Sequence, residues 1–338
     1  MSDARQLLED RAAIRDVMYR YATAVDERDF EAVRDCFASE LVIDRWWKDL
    51  TNRDEMVDFI RGVSHFTKTT HMMGNTYIAV ADDEATIDCY AMLAHERVQD
   101  DGSLFVMDTT TTRYVERLAR RDGAWVIVRR GGDPVYPSAC CFDADVADAA
   151  VRWLCDRAEI TDALAHDALA ADQQHGDTTH FLGMPLIDID GDTAAVHTTV
   201  LVTDGNGTGP TTYDDRFVRE NGRWVMDERR RGVGREWPHP IAPKTDDTRT
   251  RALVDRAAIK DAMLVAAGER DRNGGSWHVC NNHRVELDGD DARAVTYCYL
   301  VELRDPGPTH WARGARRLLD TLRRDIDGWR VVKHEVLP

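Results

Sequence analysis

Apolar side chains near the start of the chain recur with helical spacing. Ile14, Val17, Met18, Tyr21, Ala22 and Val25 fall at i, i+3, i+4, i+7, i+8 and i+11, one face of a helix that must pack against something. Asp29 is placed to cap a second helix through Phe37, and 53–63 reads as a third. Between them, 40–47 alternates as a short strand. Further alternation predicts long strands over 70–81, 85–98, 104–118 and 125–130. Helices followed by an antiparallel meander make an α+β arrangement, with helices covering one face of a curved sheet.

The pattern then recurs. DRAAIRD at 10–16 returns as DRAEITD at 156–162 and DRAAIKD at 255–261. Downstream of each lie alternating strands and a tight hairpin signature: DGAW ending at Trp125, NGRW ending at Trp224 and DGW ending at Trp329. Arg11 to Trp125 is 114 positions, Arg157 to Trp224 is 67 and Arg256 to Trp329 is 73, so the second and third copies are shortened. The loss falls between the first helix and the first long strand, so these copies should keep one helix and a sheet but lack the helices that close a pocket. The copies are expected at 1–137, 146–235 and 248–338. Linkers are expected at 131–144 and 232–247, the latter rich in Pro and Arg.

Composition narrows the class. Lys plus Arg number 44 against 61 Asp plus Glu, a net charge of −17 over 338 residues that would repel phosphate backbones, so nucleic acid is not an expected partner. Seven cysteines without CxxC spacing, the adjacent Cys140 and Cys141 among them, suit neither a disulfide scaffold nor a zinc ribbon. No charged-then-apolar leader precedes Arg5, and apolar runs are broken by charge. A cytoplasmic protein without membrane segments is expected.

RAAIRDVMYRYATAVDERDFEAVRDCF, then TTHMMGN, then CYAMLAHE, resembles the SnoaL-like branch of the NTF2-like superfamily, within it the group of scytalone dehydratase, bile acid 7-alpha-dehydratase and hexachlorocyclohexane dehydrochlorinase. The resemblance runs from Leu7 to about Arg130; in the later copies it rests mostly on the internal repeat. It implies a cone, a strongly bent antiparallel sheet wrapped around helices, with an apolar cavity opening at one end. Asp26 matches the family's carboxylate after helix one and His71 the histidine that pairs with it. Tyr21 stands where relatives place a polar, substrate-contacting helix residue, His95 matches a second histidine of scytalone dehydratase, and Asn75 adjoins a position polar in relatives. The Ser and Asn of scytalone dehydratase's next strand align roughly with Thr112 and Tyr114, so its substrate does not carry over. Relatives resemble homotrimers, so three copies in one chain suggest a monomeric pseudo-trimer or a low-order homo-oligomer.

The chemistry is legible without the family. A histidine held by a carboxylate has one nitrogen fixed as donor and the other left as a base, which is what proton abstraction beside a carbonyl or leaving group needs. Tyr21 or His95 would then protonate a departing oxygen or steady an enolate. This makes the chain a lyase or cyclase acting on a small-molecule substrate, an apolar oxygenated ring compound such as a polyketide or steroid-like metabolite, by elimination, isomerisation or ring closure. No cofactor or metal is expected, although His71, His95 and Asp26 also read as two histidines and a carboxylate around iron. Trp46, Trp47, Phe66, Met73 and Tyr90 are candidates to line the mouth. Plainer readings stand beside these: Asp26 as a turn residue of DERD, Tyr21 and the mouth residues as core, His71 as a strand histidine, His95 as a solvated strand edge. Asp172 with His180, and Asp271 with His278 and Asn282, repeat the register of Asp26 and His71, and read as inherited remnants or as additional sites. A rival function is a non-catalytic ligand holder or scaffold of the same fold. An epoxide hydrolase would need two carboxylates about an Arg, and the nearest extra carboxylates, Asp44 and Asp88, do not assemble one.

Overall fold

The computed structural model describes residues 4–44, 50–100, 102, 104–131, 142, 146–174, 178–204, 207–231, 240–274, 276–303 and 311–337. It divides into two compact units, Met1–Ser138 and Ala139–Pro338. No helix among the described residues is long and apolar enough to cross a membrane.

In the first unit the helical stripe folds as α1 (Ala4–Glu27), with Ile14, Val17, Met18, Tyr21, Ala22 and Val25 all buried. Asp29 caps α2 (Phe30–Asp35) by accepting from Ala32 N at 3.0 Å. That helix stops before Phe37, whose ring enters the core and opens β1 (Phe37–Ile43). The short strand thus begins three residues earlier than its polar alternation indicated; Trp46 and Trp47 lie outside the described residues. Asn52 caps α3 (Arg53–Ile60), and the third helix then tightens into a 3-10 turn (Arg61–His65). The meander follows as β2 (Lys68–Ala81), β3 (Glu84–Val98), β4 (Leu104–Arg121) and β5 (Ala124–Arg130), in the order β1-β5-β4-β3-β2 with only β1 and β5 parallel. The stripe of α1 packs on the inner face of this sheet with Met73, Ile78, Ile87, Leu93, Tyr114 and Leu118.

The second unit holds two abridged versions. One consists of α4 (Ala149–Gln174), β6 (Thr179–Leu182), β7 (Leu186–Asp190), β8 (Thr193–Asp204), β9 (Gly207–Glu220) and β10 (Arg223–Arg231). The other has α5 (Thr248–Gly274), β11 (Ser276–Asp288), β12 (Asp291–Leu303), β13 (Trp311–Asp325) and β14 (Gly328–Leu337). Among the described residues neither has a counterpart of α2, β1 or α3. The two are joined: Arg157 of α4 donates to Asp261 of α5 at 2.6 Å, Met184 N donates to Cys280 O at 2.9 Å, and Leu186 packs among Leu264, Cys280 and Leu318.

The repeated sequence motifs meet in space. The Asp that opens each motif, at 10, 156 or 255, ion-pairs with an Arg five residues before the hairpin Trp: Arg120 at 2.6 Å, Arg219 at 2.7 Å and Arg324 at 2.5 Å. Each guanidinium lies over its Trp ring, 4.6, 4.5 and 4.8 Å from the centroid of Trp125, Trp224 and Trp329. Trp125 Nε1 also donates to Asp10, and Trp329 Nε1 to Asp255. The hairpin needs its Asp-Gly or Asn-Gly pair because both residues take positive φ, 49° and 82° at Asp122 and Gly123, 52° and 78° at Asn221 and Gly222. Replacing Asp10 with Ala takes the acceptor from the buried indole N–H and leaves Arg120 with the exposed Asp83 alone. Urea unfolding should show a loss of about 2 kcal/mol, against less than about 0.5 kcal/mol for exposed Asp58→Ala.

Candidate active site

Helix α1 ends beside the start of β2, and the carboxylate of Asp26 is caught there. His71 N donates to Asp26 Oδ2 at 2.9 Å, His71 Nδ1 lies 2.6 Å from Asp26 Oδ1, and Thr69 Oγ1 donates to Oδ1 at 3.0 Å. A carboxylate only accepts, so the imidazole proton sits on Nδ1 and the lone pair on Nε2. Both side chains are almost fully enclosed, His71 at 5% exposure and Asp26 at 4%. Thr69, His71 and Met73 share the inner face of β2.

Arg28, which the motif DERD concealed as a turn residue, organises this corner. It takes a left-handed φ of 59° immediately after α1, where a non-glycine residue is strained. From there its guanidinium donates to Thr69 Oγ1 at 2.8 Å and to the carbonyl of Phe66 at 3.0 Å, tying the 3-10 turn and β2 to the helix end. Thr69 therefore accepts from Arg28 while donating to Asp26. Arg28 lies in DERD and Thr69 opens TTHMMGN, but neither has a periodicity that marks it; a charged residue in a turn where Asn or Gly is commoner is the signal at Arg28.

His95 on β3 pairs in register with Thr69, while His71 pairs with Leu93, so the two histidines sit diagonally on neighbouring strands. Their rings meet edge-on with centroids 5.8 Å apart, and Phe66 covers His95 at 4.7 Å. His95 Nδ1 is buried with no hydrogen-bond partner. Burial, reinforced by the neighbouring His71, pushes the His95 pKa down to about 4.

The SnoaL-like domain family matches the chain three times, over residues 6–131, 141–230 and 245–335. The chain belongs to the SnoaL-like family. Similar solved structures include two proteins of Novosphingobium aromaticivorans, one provisionally assigned as an aromatic ring hydroxylase and one as a scytalone dehydratase. The first is 27% identical, covering 36% of this chain and 86% of its own, with a TM-score of 0.31. The second is 24% identical, covering 38% and 85%, with a TM-score of 0.33. An NTF2-like protein with a cystatin-like fold from the same organism is 22% identical over 44% of this chain and 90% of its own, with a TM-score of 0.32. No curated protein matches.

Within the first SnoaL-like copy, Tyr21 joins a different cluster from Asp26. Its hydroxyl accepts from Arg130 Nη1 at 2.9 Å, and its ring lies edge-on to Tyr114 at 6.0 Å. Arg130 is held in turn by Glu116, its register partner across β4 and β5, with Nε to Oε1 at 2.8 Å. Glu116 Oε2 is buried without a partner. Burial raises the Glu116 pKa against the pull of Arg130, and raises that of Tyr114 well above the ordinary phenol value. Tyr114 is therefore a neutral donor. Counting back nine and forward five from each hairpin Trp finds the same pair in the other SnoaL-like copies: Asp215 with Arg229, which also binds Asp167, and Asp320 with His334 at 2.7 Å.

Phe66, Met73, Thr112 and Tyr114 belong to the inner side with the dyad, Met73 and Tyr114 inside the core. Tyr90 does not. Strand alternation sends Cys89 and Ala91 inward and leaves Tyr90 on the opposite face, beneath Arg113 at 5.2 Å. Asn75 is buried where the β2–β3 register breaks between Met73 and Thr76. Asp88 and Asp44 are each paired separately, with Arg113 and Arg129.

In the second SnoaL-like copy the dyad is rebuilt: His180 N donates to Asp172 Oδ1 at 3.0 Å and His180 Nδ1 lies 2.6 Å from the same oxygen. The side chains of Asp271 and Asn282 lie outside the described residues.

Because folding lowers the His95 pKa from 6.5 to about 4, the unfolded chain binds the extra proton between those values, and His95 contributes stability that is lost as pH falls through that window. Thermal midpoints of the wild type should drop from pH 6.5 to 4.5 more steeply than those of His95→Gln.

Proposed function

We propose that the first copy is a cofactor-independent lyase or cyclase, performing a dehydration-type elimination, or a related isomerisation or ring closure, on an apolar oxygenated ring compound such as a polyketide or steroid-like metabolite. The observation that carries this reading is the 2.6 Å contact of His71 Nδ1 with Asp26 Oδ1 inside a shell of apolar side chains. With the proton on Nδ1, Nε2 accepts a proton from a carbon beside a carbonyl or leaving group, and Asp26 steadies the imidazolium that forms.

His95 works as a neutral polar group: at a pKa of about 4 it is uncharged at neutral pH and does not compete with His71 for the proton. Tyr21 and Tyr114, held by the Arg130–Glu116 pair, supply phenolic hydroxyls for a developing oxyanion. Phe66, Met73 and Leu93 favour an apolar ring over a charged substrate.

A probe that needs only a positioned base tests this. The full-length protein should accelerate ring opening of 5-nitrobenzisoxazole, and His71→Ala should lower kcat/KM by about 100-fold in a chain that circular dichroism shows still folded, although its Tm falls because Asp26 loses a buried partner. Asp26→Asn should lower it less, since the ring stays while its orientation loosens. A ligand holder would bind the probe without turnover; full activity in His71→Ala would sink the proposal.

A further inference from the structure

Glu116 with Arg130, Asp215 with Arg229 and Asp320 with His334 hold one register position in the three copies, a carboxylate nine residues before the hairpin Trp and its partner five after. In the first two copies the partner is a guanidinium, which stays charged and neither takes nor gives a proton. In the third it is an imidazole, which does both. A fixed ion pair thus becomes a pair able to move protons.

The surroundings change with it. In the first copy Tyr21 of α1 accepts from Arg130, and Phe37 of β1 covers the guanidinium at 4.8 Å. The same helix place, ten after the motif arginine, is Asp167 in the second copy, and it bonds Arg229. In the third it is Ala266, whose methyl group bonds nothing. Among the described residues the third copy also has no counterpart of β1. The Asp320 side chain is 2% exposed and that of His334 27%, against 3% for Arg130. His334 Nδ1 lies 2.7 Å from Asp320 Oδ1 and, among the described residues, Asp320 is the one group that His334 bonds. The carboxylate only accepts, so the proton sits on Nδ1 and the lone pair on Nε2. Asp320 lies between Leu318 and Leu322 on the side of the sheet that packs under α5. Val336, paired with Leu318 and two residues beyond His334, shares that side and is 58% exposed.

We infer that Asp320 and His334 form a hydrolytic acid–base site on the third copy, acting on small neutral esters. It uses none of the residues of the His71 site and does not rest on the reading of the first copy. Its exposure decides the reaction: water reaches His334 Nε2, whereas the enclosed His71 suits chemistry from which water is kept out. Val336 offers an apolar surface to an acyl or aryl group, and the net charge of −17 disfavours an anionic ester. Water adds to the ester carbonyl as its proton passes to Nε2. That proton then goes to the departing alcohol oxygen as the C–O bond breaks, leaving acid, alcohol and an unchanged imidazole. Asp320 steadies the imidazolium between the two steps.

The test follows release of 4-nitrophenol from 4-nitrophenyl acetate by the full-length wild type, His334→Arg, Asp320→Asn and His71→Ala. His334→Arg restores the pair that the other two copies hold, so it removes the base and keeps a partner for Asp320, and Tm should not fall. Its kcat/KM should drop at least about tenfold. Asp320→Asn should lower the rate as well, because the imidazole loses the acceptor that fixes its proton on Nδ1. His334→Gln, which also donates to Asp320, makes the same comparison if His334→Arg does not fold. A wild-type rate in the folded His334 variant would overturn the site, as would a wild-type protein no faster than free imidazole at equal concentration. A loss confined to His71→Ala would assign the hydrolysis to the first copy and overturn it too.

Discussion

Helix α1 is held at its two ends by carboxylates, and the geometry of the first copy follows from that. Asp10 is gripped by Arg120 and Trp125 at the β4–β5 hairpin, and Asp26 by His71 and Thr69 on β2. Sixteen residues of helix separate them, about 24 Å, enough to run from the β4–β5 hairpin to the edge strand β2. A helix fixed at both ends cannot slide or rotate on its apolar stripe. Asp26 therefore reaches His71 in one orientation, and an acidic residue at a helix C-terminus, which the macrodipole disfavours, is compensated by strand donors and by Arg28.

The same economy governs the interior charges. Each copy places a carboxylate opposite a cationic or imidazole partner on the strands flanking the hairpin: Glu116 with Arg130, Asp215 with Arg229, Asp320 with His334. A one-residue slip would separate the partners of each pair and leave an enclosed carboxylate without its counter-group. Among the described residues two tyrosines, Tyr21 and Tyr114, join the pair of the first copy, and Tyr213 lies against Arg229 in the second. The two abridged copies keep the helix pin and lose the intervening helices; fused through Arg157, Asp261 and the Cys280 backbone, they form one compact unit.

Much of the fold was readable because period and repetition are local properties. The α1 stripe, the hairpins with their positive-φ pairs and the three shortened or complete copies follow from spacing alone. Strand boundaries are less legible: Phe37 reads as a helix end, and its place in the core is set by Tyr21 and Arg130, which come from other elements. The aromatic character of Tyr90 points to the pocket, but its parity along β3 places it on the opposite face from Cys89 and Ala91.

For the site, sequence determined the residue types and their order: Asp26 after the helix, His71 and His95 on consecutive strands, Asp172 and His180 in the same register. Contacts between elements were decided by tertiary structure. Arg28 becomes a clamp only because the chain reverses at a left-handed residue, Tyr21 meets Arg130 rather than Asp26 because α1 continues to Glu27, and His95 is neutral because Phe66 and His71 enclose it. Hydrogen-bond partners and pKa values depend on what approaches through space, and a one-dimensional pattern carries the periodicity of each element but not the angle at which it meets the next.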